Sequence, residues 1–434
     1  MHQPLRMLLG IAVYLCLFQS EATADDWPQW GGPQRDLIWR ETGLAETLPK
    51  ELNRVWSAPI AEGYAGPAVA DGRVFVTDRV AEENLERVHA FDADSGEPLW
   101  LHKYEAPYAI SYPAGPRATP TVDDQRVYTI GAVGHLFCFE VGTGEIIWQK
   151  DFQKDFGTKL PTWGMAGAPL VEGDQLICLV GGANGALVVS FNKHTGEELW
   201  RSLDDPGVGY CQPVILEFGG RRQLIIWHAT HVSGLDPANG KLLWQYPFPT
   251  NYALTVPMPR KLGKRLFLTA FYEGPLMLDL GEDGVTPTEL WRSTKGNNEI
   301  KNDSLHSIMP TTIVTDEYLY GMSSYGQLRC LDTKTGELVW ETRDATGKGR
   351  WWNAFLVPHL EMSGERVYLA NEQGELIQAK LDGKGYHELA RAQLLEPTRK
   401  VQRRMTIWSH PAFAMQSVFA RNDQELIRVD LSAE

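Results

Sequence analysis

His228 and His231 stand three positions apart in the run WHATHV, and two imidazoles on one short loop can share a transition-metal ion once a third ligand joins them. The spacing supplies no third ligand, so no metal site is expected. Acids suited to general acid–base work occur at Glu273, Glu372 and Asp423, but their separations pair none of them, and loop acids are ordinarily solvated. No Ser/His/Asp set, phosphate loop or glycine-rich nucleotide loop stands in a strand–turn–helix setting, so catalytic residues stay unassigned. A different chemistry is better represented. Trp163, Tyr252, His306, Trp351, Trp352, Asn353, Trp408 and His410 all fall just ahead of a short apolar run, accompanied by Arg117, Arg350 and Arg404. Aromatic faces mixed with imidazole, amide and guanidinium groups suit a sugar, a planar ligand or a peptide. With His228 and His231 they make up the expected ligand-binding set.

These residues are scattered along the chain, so a scaffold must gather them. A repeat supplies one. DADSGEPLW (92–100), EVGTGEIIW (140–148), NKHTGEELW (192–200), DPANGKLLW (236–244) and DTKTGELVW (332–340) are copies of one phrase. A stretched copy ends at Trp291, a worn one ends at Ala390 in place of Trp, and Trp56 ends a lone strand without its turn. The eight end-positions are separated by 44 to 52 residues, the length of one four-stranded propeller blade. Blade two reads as ATPTV, RVYTI, HLFCFE and EIIWQ, each bounded by turn residues. The glycine of the T-G-E turn is where φ must become positive, and the preceding Asp or Asn can bond its own backbone. Each Trp is expected to pack between blades. Three strands follow residue 390 without a fourth, whereas 52–59 is a fourth strand without its first three. Joining them closes a ring and removes an exposed edge. The expectation is an all-β, eight-bladed β-propeller of four-stranded blades, closed by an N-terminal strand that completes the last blade, with seven blades as the fallback.

Arg6, the apolar run 7–18 and Ala22-Thr23-Ala24 read as an export leader over residues 1–24. Residues 25–51 are then an N-terminal segment expected to pack on the turn face through Trp27, Trp30 and Trp39, and 52–434 the propeller. No later run is long and apolar enough to span a bilayer, so no integral segment is expected after cleavage, and the location is periplasmic or secreted. Lys and Arg number 41 against 55 acidic residues, a net charge of −14, which argues against nucleic acid as a partner. Cys138, Cys178, Cys211 and Cys330 include no adjacent pair, and buried free thiols are expected of them. The oligomeric state is not readable.

The A-x-D-x-x-T-G-x-x-x-W phrase resembles that of the pyrroloquinoline-quinone (PQQ)-like repeat β-propellers, over essentially the whole chain after residue 24. The resemblance implies the propeller fold. It implies no single function, because that family holds both quinoprotein alcohol dehydrogenases and the propeller subunit of the outer-membrane β-barrel assembly machinery. The dehydrogenases hold PQQ against a vicinal cysteine pair, with calcium on Glu, Asn and Asp. This chain lacks the pair and shows no such set by motif, so no cofactor is expected, and PQQ with calcium belongs to the alternative alone. The expected function is a non-catalytic binding scaffold that recognises a protein or carbohydrate on its long-loop face. The alternatives are a quinoprotein oxidoreductase and a polysaccharide hydrolase or lyase.

Overall fold

The computed structural model describes residues 25–433 except 206, 294–299, 324 and 361–365. The leader read over 1–24 and the turn at Ser363 and Gly364 lie outside them. Among the described residues are eight four-stranded sheets, each ordered from an inner to an outer strand, so the chain is an eight-bladed β-propeller with almost no helix. Blade one runs Ala68–Ala70, Arg73–Val80, Leu85–Asp92 and Pro98–Glu105. The middle strands are buried on both faces and the outer strand is largely exposed, which is why the run VFVT is continuous and PLWLHKYE is mixed.

The indoles hold neighbouring blades together. Trp100 Nε1 donates to Val141 O of the next blade at 2.8 Å, Trp148 Nε1 to Lys193 O at 3.1 Å, and Trp340 Nε1 to Asp382 O at 2.7 Å. Where this direct bond is missing, a glutamine relays it. Trp200 Nε1 donates to Gln175 Oε1 at 2.6 Å, and Gln175 Nε2 donates to Pro237 O of blade four at 3.1 Å. The next blade's turn glycine lies flat on the same ring: a Cβ on Gly144 would come within 2.6 Å of Trp100, and φ there is +72°. Backbone sign and ring contact therefore both require glycine at that position.

Asn53–Pro59 pairs antiparallel with Glu425–Asp430 and completes blade eight behind Ala412–Ala414 and Ser417–Arg421. Trp56 Nε1 then donates to Ala93 O of blade one at 2.9 Å, closing the ring. Blade seven is complete despite Ala390, because Gly385–Gln393 pairs along the whole of Glu375–Asp382 and bulges between Gln378 and Ala379, as the other blades bulge beside their Trp. The count is eight, not seven.

Residues 27–41 bond to the channel-side edges of several blades, where backbone groups would otherwise stay unpaired. Trp27 exchanges two backbone bonds with Val69 (2.8 and 2.9 Å), Pro28 O accepts from Val122 N, Asp36 O accepts from Arg260 Nη1, and Trp39 N donates to Pro358 O. The buried Arg35 donates to Pro169 O at 3.0 Å. Trp27 and Trp39 are fully buried, against Phe413 and Tyr368. Between blades seven and eight the chain forms a small hairpin, Arg399–Val401 with Arg404–Thr406. No helix among the described residues is long and apolar enough to cross a membrane.

Candidate functional site: an aromatic cavity in the channel

Each innermost strand is short, and a proline commonly opens it: Pro67, Pro120, Pro169, Pro213, Pro259 and Pro411. The residue three before each of these prolines is Tyr64, Arg117, Ala166, Tyr210, Val256 and Trp408, and all six line one cavity of about 200 Å³ in the channel. In blade six Thr312 holds the proline's place and Met309, three before it, lines the cavity as well; in blade seven Leu356 holds that place, and Trp351 and Phe355 supply the wall instead. An X-Pro step favours extended backbone, so the chain enters the six proline-led blades in the same way and points the same position inward.

The wall is aromatic. Trp163 lies 5.6 Å from Tyr210 between ring centres, Tyr112 lies 5.9 Å from Trp408 and 6.1 Å from Trp351, and Tyr64 lies 6.5 Å from Trp408. Trp30 of the N-terminal segment also lines the cavity, meeting His410 edge-on at 6.0 Å. Tyr112, Tyr252 and Trp351 hold φ of +53°, +59° and +67°. The left-handed region costs a non-glycine residue about 1–2 kcal/mol, and such strain gathers where a side chain is held for use.

The cations near the cavity are committed. Arg117 donates to the carbonyls of Gly115 (2.8 Å), Ser111 (3.1 Å) and Tyr112, and lies over the Tyr64 ring. Arg350 lies over Trp351, 4.9 Å from its ring centre, and donates to Tyr272 Oη. No carboxylate is among the residues lining the cavity. Glu372, expected to be a solvated loop acid, has no exposure. Its oxygens accept from Arg404 Nε, Trp408 Nε1 (3.0 Å) and Asn353 Nδ2 (3.3 Å). Burial raises its pKa above the usual carboxylate value, and the hydrogen bonds from Arg404 and Trp408 pull the other way. Asp423 pairs with Arg399, and Glu273 accepts from Asn251 N at 2.8 Å. His410 is a neutral ring: burial pushes it down to about 4, and it meets Thr119 Oγ1 at 2.8 Å.

Of the residues expected from sequence, the fold brings Trp163, Trp351, Trp408 and His410 into the cavity wall, while Tyr252 stands exposed beside Trp163 and Tyr272. Three others lie behind the wall, contrary to the expectation that all belong to one ligand-binding set. His306 is buried, with Nδ1 donating to Phe271 O at 2.9 Å. Asn353 is buried on Glu372, and Trp352 lies against Gly347 and Gly349 beneath Arg404. For Trp352 the neighbouring Trp351, held at a φ of +67°, took the inward position instead. His228 and His231 are not in the cavity; they face Asp205 elsewhere on the loop side of blade four. Sequence reading missed Trp30, Tyr64, Tyr112, Tyr210, Tyr272 and Phe355, all of which line the cavity. For Tyr64 and Tyr210 the signal was present, three residues ahead of the proline.

With this geometry in hand, comparison with known proteins is informative. The family model described as "Outer membrane protein assembly factor BamB" matches residues 84–342 and 282–432. A protein of that name from Yersinia pestis is 22% identical over 276 residues, 61% of this chain and 63% of that protein. A 1-butanol dehydrogenase (cytochrome c) from Thauera butanivorans is 28% identical over 187 residues, 41% of this chain and 26% of its own length. The match thus spans less than two thirds of either relative. Among solved structures, BamB from Moraxella catarrhalis superposes with a TM-score of 0.59 at 16% identity, covering 88% of this chain and 98% of that one. Quinohemoprotein alcohol dehydrogenase from Comamonas testosteroni gives 0.65 at 15% identity, covering 94% and 81%. At these identities the structures speak for the fold alone.

Proposed function

We propose, since this chain belongs to the family described as outer membrane protein assembly factor BamB, that it is an exported, non-catalytic binding propeller acting in the periplasm, whose channel cavity takes a short extended segment of a protein partner. The observation that carries this reading is the wall itself: Tyr64, Tyr112, Trp163, Tyr210, Trp351 and Trp408 around one cavity with no acid among its lining residues. Rigid aromatic faces give large contact area at low entropic cost, which suits apolar or aromatic side chains of a partner. Glu372, the carboxylate bonded to the wall residue Trp408, is engaged in holding Arg404 and Trp408 and is not itself among the lining residues. Trp30 narrows the cavity from the N-terminal segment, which favours a loop or chain end over a threaded strand.

The test is a tryptophan-fluorescence titration of residues 25–434 with ten-residue extended peptides of equal charge, one set rich in aromatic residues and one without them. The aromatic set binds, and Trp351→Ala combined with Trp408→Ala weakens binding at least tenfold. Equal binding by the double variant, or binding of oligosaccharides but of no peptide, overturns the reading.

The dehydrogenase relatives carry a second reading, a quinoprotein oxidoreductase. The cavity residues do not fit PQQ with calcium. A tricarboxylate ligand needs free cationic donors, whereas those of Arg117 go to backbone carbonyls. Calcium needs several oxygen ligands, and Gln212 Oε1 already accepts from Ala168 N. The four cysteines among the described residues are buried and unpaired. Addition of PQQ and calcium, followed by dye-linked alcohol oxidation, separates the two readings.

A further inference from the structure

We propose that Asp205, His228 and His231 bind one divalent transition-metal ion, with zinc the best match to the donors, on the loop side of blade four. Asp205 lies in the crossing that follows Glu198–Ser202, His228 directly follows Arg221–Trp227, and His231 opens His231–Leu235. One ligand atom from each falls within 4.8 Å of the others. His228 Nδ1 and Asp205 Oδ2 are 3.1 Å apart. A tetrahedral ion about 2.0–2.2 Å from its ligands holds them roughly 3.3 Å from one another, so this pair already has the required spacing.

The unmet need is at His228. Its ring is 1% exposed, yet Nδ1 makes no aligned hydrogen bond although Asp205 is its neighbour. A buried nitrogen aimed off-line at a buried carboxylate needs either a proton or a cation between them.

The surrounding bonds orient each ligand. His228 Nε2 meets Ser233 Oγ at 3.2 Å, which turns Nδ1 towards Asp205. Thr230 Oγ1 donates its one proton to Asp205 Oδ2, so at 2.7 Å from His231 Nδ1 it accepts, and His231 Nε2 is left with the lone pair. Gly207 N fixes the other carboxylate oxygen at 3.0 Å. Second-shell bonds of this kind set the tautomer and aim of ligating histidines. The loop is also braced without an ion, by His228 N to His231 O and Ala229 N to Gly207 O, each 3.0 Å.

Two imidazoles with one carboxylate select a borderline-soft ion over calcium or magnesium, which prefer oxygen. The Asp205 side chain is 5% exposed whereas His231 is half-buried, so access to the fourth position lies on the His231 side. The crossing that carries Asp205 reaches the cavity wall five residues later at Tyr210, so a bound ion ties that wall to blade four.

The experiment uses tag-free protein stripped with a chelator. Cobalt titration followed by visible absorption, and zinc titration by calorimetry, should each show one ion per chain. Asp205→Asn keeps the side chain's shape, and His231→Ala alters a half-buried position, so one folded variant is assured of a reading. Each should weaken zinc at least tenfold and abolish the cobalt band. At one hundred times its dissociation constant, zinc should raise the melting temperature of the original chain by about 3 °C and leave the variants unmoved. Absence of saturable binding, or equal affinity in the folded variants, overturns the proposal.

Discussion

Trp408 Nε1 donates to Glu372 Oε2 at 3.0 Å, so a carboxylate with no solvent exposure aims an indole into the channel cavity. The other oxygen of Glu372 accepts from Arg404 Nε, and Arg404 Nη2 donates to Arg350 O at 3.1 Å, directly before Trp351. One acid therefore steadies two of the cavity's tryptophans without touching a ligand.

Replacing that acid separates support from contact. Glu372→Ala leaves Arg404 unpaired beside a void and should cost about 3–5 kcal/mol, as breaking a buried pair does. Glu372→Gln should keep the fold at smaller cost and weaken peptide binding through Trp408. Urea unfolding and the fluorescence titration read the two effects independently.

Acid should destabilise the propeller through His410. Burial holds its folded value near 4, against 6.5 for an exposed imidazole. As pH falls below 6.5 the unfolded chain takes the proton first, so stability drops between pH 6.5 and 4. The full loss is about 3 kcal/mol, at 1.36 kcal/mol for each pH unit. His410→Gln should remove that slope. Urea midpoints at pH 7 and pH 4.5 for both proteins provide the check.

The tryptophans should divide into two classes. Trp148, buried between blades and bonded to Lys193 O, should cost about 3–5 kcal/mol as Trp148→Ala. Trp351 is half-buried at φ +67°, so Trp351→Gly loses contacts but relieves backbone strain, leaving stability within about 1 kcal/mol. Binding should fall only in the second variant, as melting curves and titration together would show.

Thiol labelling should be almost silent in the native protein. Cys138, Cys178, Cys211 and Cys330 are all buried, and burial pushes Cys138 and Cys330 up to about 12. A disulfide-exchange reagent at pH 8 should label them slowly when folded and rapidly in urea. Fast native labelling of any one would show that its blade opens.

The repeat was legible because a propeller writes its geometry locally. The turn at 92–100 needs a side-chain oxygen acceptor at Asp92, a glycine at Gly96 and an indole at Trp100, and all three lie within one phrase. Ala390 shows the limit of that code: blade seven stands without the indole because its backbone ladder is complete. The cavity was only half legible. Trp351 and Trp408 are large and obvious, whereas Tyr64 and Tyr210 were marked only by a proline three residues later.

Sequence alone therefore carried the four-stranded repeat, the closure of the ring by Trp56 and the family phrase, with eight blades expected and seven left open, since each depends on contacts within one unit or between neighbours in a fixed order. Tertiary structure alone decided which of two adjacent residues points inward, as with Trp351 and Trp352. It also decided that Glu372 is buried and that Asp205 meets His228 and His231. Those facts depend on crossings whose paths no local pattern encodes, because the blades they bridge set their ends, and the free energy of packing and hydrogen bonding fixes the rest.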